Sequence, residues 1–164
     1  MEKVIITGQD LTIDQIAAVC RNHAFVELSE ESKNKILESR KVVDELVAEK
    51  KTVYGITTGF GKFSDVVISQ DECTKLQRNL IITHAVGGGD PFPIDVAKGI
   101  MLLRVNNLSK GFSGIRLETV QTMIDMLNKD VTPFIPEKGS LGASGDLAPL
   151  SHMVLVMIGM GKAY

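Results

Sequence analysis

The sequence predicts a mainly α domain with minor short β-strands. Apolar residues recur at helical spacing along six stretches separated by Gly-, Pro- and Asn/Asp-rich breaks. Only two short runs, Val4-Ile5-Ile6-Thr7 and Phe25-Val26-Glu27-Leu28, have strand character. The chain has 164 residues, 44% hydrophobic and 23% charged, the balance of one domain, 1–164, able to bury its own core.

Val4 to Thr7 opens the chain as a strand. Thr12 and Gln15 have the spacing of a capping box for a helix through about Arg21, with Ile13, Ile16, Ala17 and Cys20 on its apolar stripe. Phe25 to Leu28 is the second strand. Ser29 then caps a long helix through about Lys50, with Ile36, Val43 and Val47 facing inward. Tyr54 to Ser64 holds three glycines and no apolar period, and reads as a loop. Ser69 and Glu72 suit a second capping box, for a helix through about Val86 that Gly87-Gly88-Gly89-Asp90-Pro91 ends. The next helix runs from about Ile94 to Leu108, apolar on most sides and so expected to be buried. A turn at Lys110-Gly111-Phe112 leads to a helix from about Leu117 to Asn128. The segment Thr132 to Gly139 is punctuated by Pro and Gly and does not read as a strand. A final helix, about Leu147 to Met160, is apolar almost all round, the pattern of a helix with neighbours on every side.

The segment Gly139-Ser140-Leu141-Gly142-Ala143-Ser144-Gly145-Asp146-Leu147-Ala148-Pro149-Leu150 carries the strongest chemistry. If the Gly145 nitrogen attacks the Ala143 carbonyl, a five-membered ring closes. Loss of water from that carbinol and from the Ser144 side chain leaves an exocyclic methylidene, an electrophile. Gly145 lacks a Cβ, so its nitrogen can approach, and Ala143 is small enough not to obstruct closure. Read alone, Ser-Gly-Asp before an apolar run is an ordinary helix start with Ser144 or Asp146 as N-cap. A hydrolase elbow, Gly-x-Ser-x-Gly after a strand, does not fit, because Asp146 stands where the second glycine belongs.

This segment closely resembles the prosthetic-group motif of the histidine and phenylalanine ammonia-lyases. The resemblance extends through Tyr54-Gly55-Ile56-Thr57-Thr58-Gly59-Phe60-Gly61, Leu76-Gln77-Arg78-Asn79-Leu80, Thr83-His84-Ala85 and Leu108-Ser109-Lys110-Gly111-Phe112-Ser113-Gly114-Ile115-Arg116, in the family's order. It covers essentially the whole chain. It implies the amino-terminal part of an ammonia-lyase fold, with the carboxy-terminal remainder absent. It also implies that Ala143-Ser144-Gly145 becomes 4-methylidene-imidazol-5-one (MIO) without an external enzyme. The reaction implied is removal of ammonia from an aromatic amino acid to leave a trans-unsaturated acid. The electrophile captures the α-amine and makes it a better leaving group, and a base takes the β-proton. A neighbouring helix start would stabilise negative charge there.

The remaining roles are also implied by the resemblance. Tyr54 matches a tyrosine proposed for acid–base catalysis, a task for which a phenol must be brought down from a pKa of about 10. His84 matches a position that contacts the substrate side chain. From its helical stripe alone, with Cys73, Leu76, Gln77 and Leu80, it reads as a core histidine. Thr83-His84 is similar to the pair in members acting on histidine, whereas Phe-Leu accompanies phenylalanine and His-Leu tyrosine. The implied substrate is L-histidine and the product urocanate. The family works as a homotetramer with shared active sites, and further Asn, Tyr, Arg and Glu residues lie beyond this stretch. The 164-residue chain is therefore expected to be inactive, to leave its ring unformed, and to associate as a dimer or larger species. Two other readings stand beside this one: another MIO-dependent aromatic ammonia-lyase or aminomutase, or a non-catalytic helical association module.

Composition excludes other classes. A net charge of −2 gives no electrostatic case for nucleic acid or an anionic membrane. Cys20 and Cys73, far apart in sequence and outside any Cys-x-x-Cys, suit reduced core thiols in a cytoplasmic protein, with a disulfide between the two as the alternative. The longest apolar stretch, Met153 to Met160, is too short to span a bilayer. No cluster has zinc spacing, so no metal is expected. His23 closes a helix and His152 lies in the apolar last one; both have weaker claims to function than His84.

Overall fold

A computed structural model of the chain describes residues 2–59 and 70–164. The Ser69 half of the second capping box, and Phe60 to Ser64 of the Tyr54 loop, lie outside them. Among the described residues the elements are β1 (Lys3–Ile6), α1 (Ile13–Asn22), β2 (Phe25–Leu28), α2 (Glu30–Ala48) and α3 (Gln70–His84). They are followed by β3 (Gly88–Pro91), α4 (Ile94–Leu108), α5 (Leu117–Asn128), β4 (Pro136–Lys138) and α6 (Leu147–Met157). The domain is mainly helical with short strands, as the periodicity predicts.

Strands β1 and β2 pair in parallel, with Val4 opposite Val26 and Ile6 opposite Leu28. Alternation therefore turns these four side chains to one face, where all are buried. Lys3 and Glu27 pair as ions on the strands. The outer edge of β2 is closed by the Asn128 side chain. Its Nδ2 donates to the Val26 carbonyl at 2.9 Å and its Oδ1 accepts the Val26 N–H at 2.8 Å. A single amide thus satisfies both backbone groups of an edge residue.

Helix α1 starts at the predicted capping box: Thr12 Oγ1 accepts the Gln15 N–H at 3.2 Å, and Gln15 Oε1 accepts the Thr12 N–H at 3.0 Å. Ser29 caps α2 by accepting the Ser32 N–H at 3.1 Å. Ala18, Val19 and Cys20 of α1 pack with Met101, Leu102 and Val105 of α4, Val120, Met123 and Ile124 of α5, Ile36 of α2 and Met153 of α6 in one core. On α2 only Ile36 is fully enclosed among the predicted inward residues; Val43 and Val47 are half-buried.

Two burial expectations are corrected. Helix α4 is enclosed on one side only, since Ile94, Val96 and Leu103 are exposed. Helix α6 buries Ala148, Pro149, Ser151 and Met153 but leaves Leu147 and Ile158 exposed. It also ends at Met157, not Met160, and Gly159 takes a left-handed φ of 73° two residues later. A third correction concerns strands. Gly88–Pro91 and Pro136–Lys138 pair antiparallel, so the glycine run that ends α3 enters a ladder, and the Pro-punctuated segment supplies its partner.

The turn 109–114 lies against α2 through its glycines, and Gly8, two residues after β1, faces its Ser109–Lys110 backbone. A Cβ at Gly111 would stand 2.6 Å from Lys35 Cβ, and one at Gly114 2.3 Å from Val43 Cγ2. Gly111 also has φ +76°, open to glycine at no steric cost. The Gly-x-x-Gly spacing thus serves close approach, and the Gly114 N–H is held by Ser39 Oγ at 2.9 Å.

Lys98 of α4 is buried, and its ammonium reaches Asp130 Oδ1 at 2.6 Å. His23, the left-handed residue closing α1, reaches the same oxygen through Nδ1 at 2.9 Å. Asp130 is itself left-handed at φ 56°. One carboxylate therefore joins the ends of α1 and α5 to the middle of α4. The Lys98 hydrogen bond, with His23 beside it, holds the Asp130 carboxyl below its ordinary range.

Candidate active site

The Ala143-Ser144-Gly145 segment is a tight turn at the entrance to α6. Gly142–Ser144 form one turn of 3₁₀ helix. The Leu141 carbonyl gathers three donors: the Ser144 N–H at 3.0 Å, the Asp146 N–H at 3.2 Å and the Ser144 hydroxyl at 2.9 Å. The Gly145 N–H donates to the Gly142 carbonyl at 3.0 Å. Gly145 is left-handed at φ 89°, and a Cβ there would meet nothing within 4 Å. The glycine is thus required by backbone angle and not by crowding. Residues 139–145 are all exposed.

The helix start differs from the expected one. Asp146 occupies the N-cap position of α6, but at a left-handed φ of 56° and with no side-chain cap. Its carboxylate accepts the Ser140 hydroxyl instead, and the Ser144 hydroxyl turns back to Leu141. Neither side chain reaches the first-turn N–H groups. The strand that precedes the segment, β4, removes one ground against a hydrolase elbow. The other stands, because Asp146 occupies the second glycine's place.

Tyr54 begins a turn over residues 54–57 and is 61% exposed. That turn is tied to α3 by the Cys73 thiol, which donates to the Ile56 carbonyl at 3.6 Å. Cys73 is half-buried, so of the two expected core thiols only Cys20 is enclosed; both are free. His84 ends α3, half-buried. Its Nδ1 lies 2.7 Å from the Leu80 carbonyl. A carbonyl only accepts, so Nδ1 carries a proton, and in that neutral tautomer the lone pair is on Nε2. Cys73 and His84 are eleven residues apart on one helix, about 16 Å along its axis. The turn that Tyr54 begins is thus tied to the first half of α3, and His84 stands at the helix end.

His84 and the Ala143-Ser144-Gly145 turn are linked by packing. Helix α3 lies on α6, and β3, which follows His84, pairs with β4, which precedes the turn. Gly87 is the hub. Its N–H donates to His152 Nε2 at 3.0 Å. A Cβ built on Gly139 would stand 3.1 Å from Gly87 Cα and 3.3 Å from Ala148 Cβ. His152 is half-buried, and burial pushes its imidazole below the ordinary histidine range. The role of His152 is not legible locally, because its partner lies 65 residues away. The available signal was a histidine four residues after Ala148, on the same face of the helix.

The Asp130 and His152 shifts have one sign. A group whose folded pKa is depressed adds stability above its unfolded pKa and loses it as pH falls through the folded value. Stability is therefore expected to fall in two steps on acidification. The first lies below about 6.5, as His152 is forced to charge, and the second below about 3.9, as Asp130 protonates. Urea midpoints measured across that range check the order; a midpoint that rises on acidification contradicts it.

Among the described residues no three His, Cys, Asp or Glu side chains are placed to hold a metal ion, and no helix is long and apolar enough to cross a membrane.

Comparison with known proteins agrees with the motif order. The family described as aromatic amino acid lyase matches residues 11–164. The histidine ammonia-lyase of Alkaliphilus oremlandii (strain OhILAs) is 66% identical over 163 residues, covering 99% of this chain and 32% of its own length. Among solved structures, histidine ammonia-lyase from Trypanosoma cruzi superposes with a TM-score of 0.90 at 42% identity, over 98% of this chain and 30% of that one. Tyrosine aminomutase from Streptomyces globisporus gives 0.91 at 35% identity, over 98% of this chain and 30% of that one. The chain spans about a third of the length of the curated relatives it matches. A sequence match over nearly all the chain, and folds that superpose at this level, lead to one conclusion: the chain belongs to the aromatic amino acid lyase family.

Proposed function

We propose that this chain is the amino-terminal, electrophile-forming part of a histidine ammonia-lyase, which converts L-histidine to urocanate and ammonia. The observation that carries the reading is Ala143-Ser144-Gly145 in a tight turn, with a left-handed Gly145, inside a chain of the aromatic amino acid lyase family. The names of the most similar relatives and the Thr83-His84 pair support histidine over phenylalanine or tyrosine.

The residues present fit MIO in kind. Ala143 offers a carbonyl flanked by a methyl, Ser144 a hydroxyl to eliminate, and Gly145 a nitrogen with no Cβ beside it. Once formed, the group supplies an electrophilic methylidene carbon for the substrate amine. The chain's other residues bind and move protons. The His84 lone pair on Nε2 suits an imidazole N–H of the substrate. Tyr54 supplies a phenol for proton transfer, and its exposure leaves room for further protein to enclose it.

Closure demands more than this chain provides. The Gly145 nitrogen is engaged with the Gly142 carbonyl and must be freed and pressed against the Ala143 carbonyl carbon. A surrounding shell has to enforce that approach, and residues 139–145 are exposed. The 164-residue chain by itself therefore keeps an open Ala-Ser-Gly and is inactive, whereas the complete enzyme, a homotetramer on this reading, forms the ring.

Turnover of L-histidine by the complete enzyme, followed by the ultraviolet absorbance of urocanate, tests the substrate. Turnover of phenylalanine or tyrosine and not histidine contradicts it and favours another ammonia-lyase or an aminomutase. That second reading has an observation of its own in the superposition with a tyrosine aminomutase.

A further expected outcome concerns association. Leu103, Leu141, Leu147, Met160 and Phe112 are exposed, Phe112 by 90%. Where such residues form a contiguous patch they mark an interface. The 164-residue chain should sediment as a dimer or larger species at micromolar concentration; a clean monomer counts against this.

A further inference from the structure

We propose that His152 is a positioning residue: by holding the backbone at Gly87 it fixes His84 relative to the Ala143-Ser144-Gly145 turn. The kinetic consequence rests on the ammonia-lyase reading, but the geometry does not.

Three pieces of chain, the exit of α3, residues 138–139 and α6, meet at Gly87. The His152 ring lies against it, since a Cβ there would stand 3.1 Å from Nε2 and 3.2 Å from Cδ2. The Lys138 carbonyl, at the end of β4, is 3.1 Å from the same point. A Cβ on Gly139, the first residue of the motif, would stand 3.1 Å from Gly87 Cα and 3.3 Å from Ala148 Cβ. Ala148 and His152 are four apart on α6 and so share a face. That face receives the exit of α3 and the entrance to the Ala-Ser-Gly turn together.

Between His84 and Gly87 the chain has little freedom. The Ala85 N–H donates to the Ile81 carbonyl at 3.2 Å, and the Val86 N–H to the His84 carbonyl at 2.9 Å. The next N–H, at Gly87, is given to a side chain. The bond sets a tautomer: Nε2 accepts, so Nδ1 carries the proton, and a protonated ring can no longer accept. Burial favours the neutral ring.

The ionisable groups with described side chains on the packed elements are Glu72, Cys73, Lys75, Arg78 and His84 on α3, and Glu137 and Lys138 on β4. The Glu137 and Lys138 side chains lie along Gly89, and Arg78 reaches Met160 Sδ at 3.4 Å. Burial, and none of these charges, is the cause of the His152 shift.

A small displacement of the α3 exit moves His84 against the turn. Misplacement of a catalytic group by about 1 Å can reduce rate by about a hundredfold. The test compares His152→Leu and His152→Gln in the complete enzyme. Leu keeps bulk without an acceptor, while the Gln carbonyl can still accept the Gly87 N–H. The Leu variant is expected to lose about tenfold to a hundredfold in kcat/KM, and the Gln variant to recover most of it. Wild-type kcat/KM in the Leu variant, or a folded Gln variant as impaired as Leu, overturns the proposal.

The hydrogen bond is also read directly in the 164-residue chain by Gly87 amide exchange. Protection, corrected for the intrinsic rate, should be lost as pH falls through the titration of His152. Protection unchanged across that titration overturns the clamp whatever the enzyme's substrate. If the complete enzyme consumes another aromatic amino acid, the histidine reading fails, and the two variants are compared on that substrate.

Discussion

Ser144→Ala in the complete enzyme is expected to abolish measurable turnover, a loss on the order of a thousandfold or more, as when the attacking group of a covalent mechanism is deleted. The reason lies in the atoms. The methylidene carbon can come only from the Ser144 side chain, and alanine has no hydroxyl to eliminate. The change should leave the fold intact. Ser144 is exposed, its hydroxyl reaches only the Leu141 carbonyl among the described residues, at 2.9 Å, and the backbone N–H of the same residue already binds that carbonyl at 3.0 Å. Unchanged circular dichroism and oligomeric state with lost activity is the expected pair of results. A Ser144→Ala enzyme that turns over substrate at near wild-type rate removes the electrophile from the account.

Gly111→Ala has the largest expected effect on stability. The added Cβ would lie 2.6 Å from Lys35 Cβ and 2.8 Å from the Lys35 carbonyl carbon and oxygen, at a residue with φ +76°. The Lys35 backbone belongs to α2 and cannot yield without moving the helix. Left-handed backbone costs an L-residue about 1–2 kcal/mol, and overpacking about 1–3 kcal/mol more. A loss of roughly 2–5 kcal/mol is expected from chemical denaturation. Gly88→Ala is the matched control. Nothing lies within 4 Å of its added Cβ, so its effect should stay within about 0.5 kcal/mol. Equal effects at the two glycines contradict the assignment of Gly111 to close approach.

Local signals in the sequence located most of the elements. The Thr12–Gln15 box and Ser29 mark helix starts because their hydrogen bonds join residues three apart. Helices α4 and α5 fall where their periodicity begins and ends. The ladder of β3 with β4 was not legible, since it pairs a glycine run with a proline-bearing segment and relies on backbone partners far apart in the chain. The same limit applies to α4 and α6. Their composition tells that they are apolar, but not which face the domain leaves open. Of the candidate site, the motifs name Ala143, Ser144, Gly145, Tyr54 and His84. Three-dimensional packing adds Gly87 and His152, joined across 65 residues by one hydrogen bond. It also ties the turn that Tyr54 begins to the first half of α3, with His84 at the helix end.

The central claim is that Ala143-Ser144-Gly145 becomes the electrophile in the complete enzyme. Intact and peptide mass measurement of that enzyme tests it most directly. The account predicts a mass lower by two waters, with the whole deficit in the peptide that contains residues 143–145. An active enzyme whose 143–145 peptide has its full, unmodified mass would contradict it.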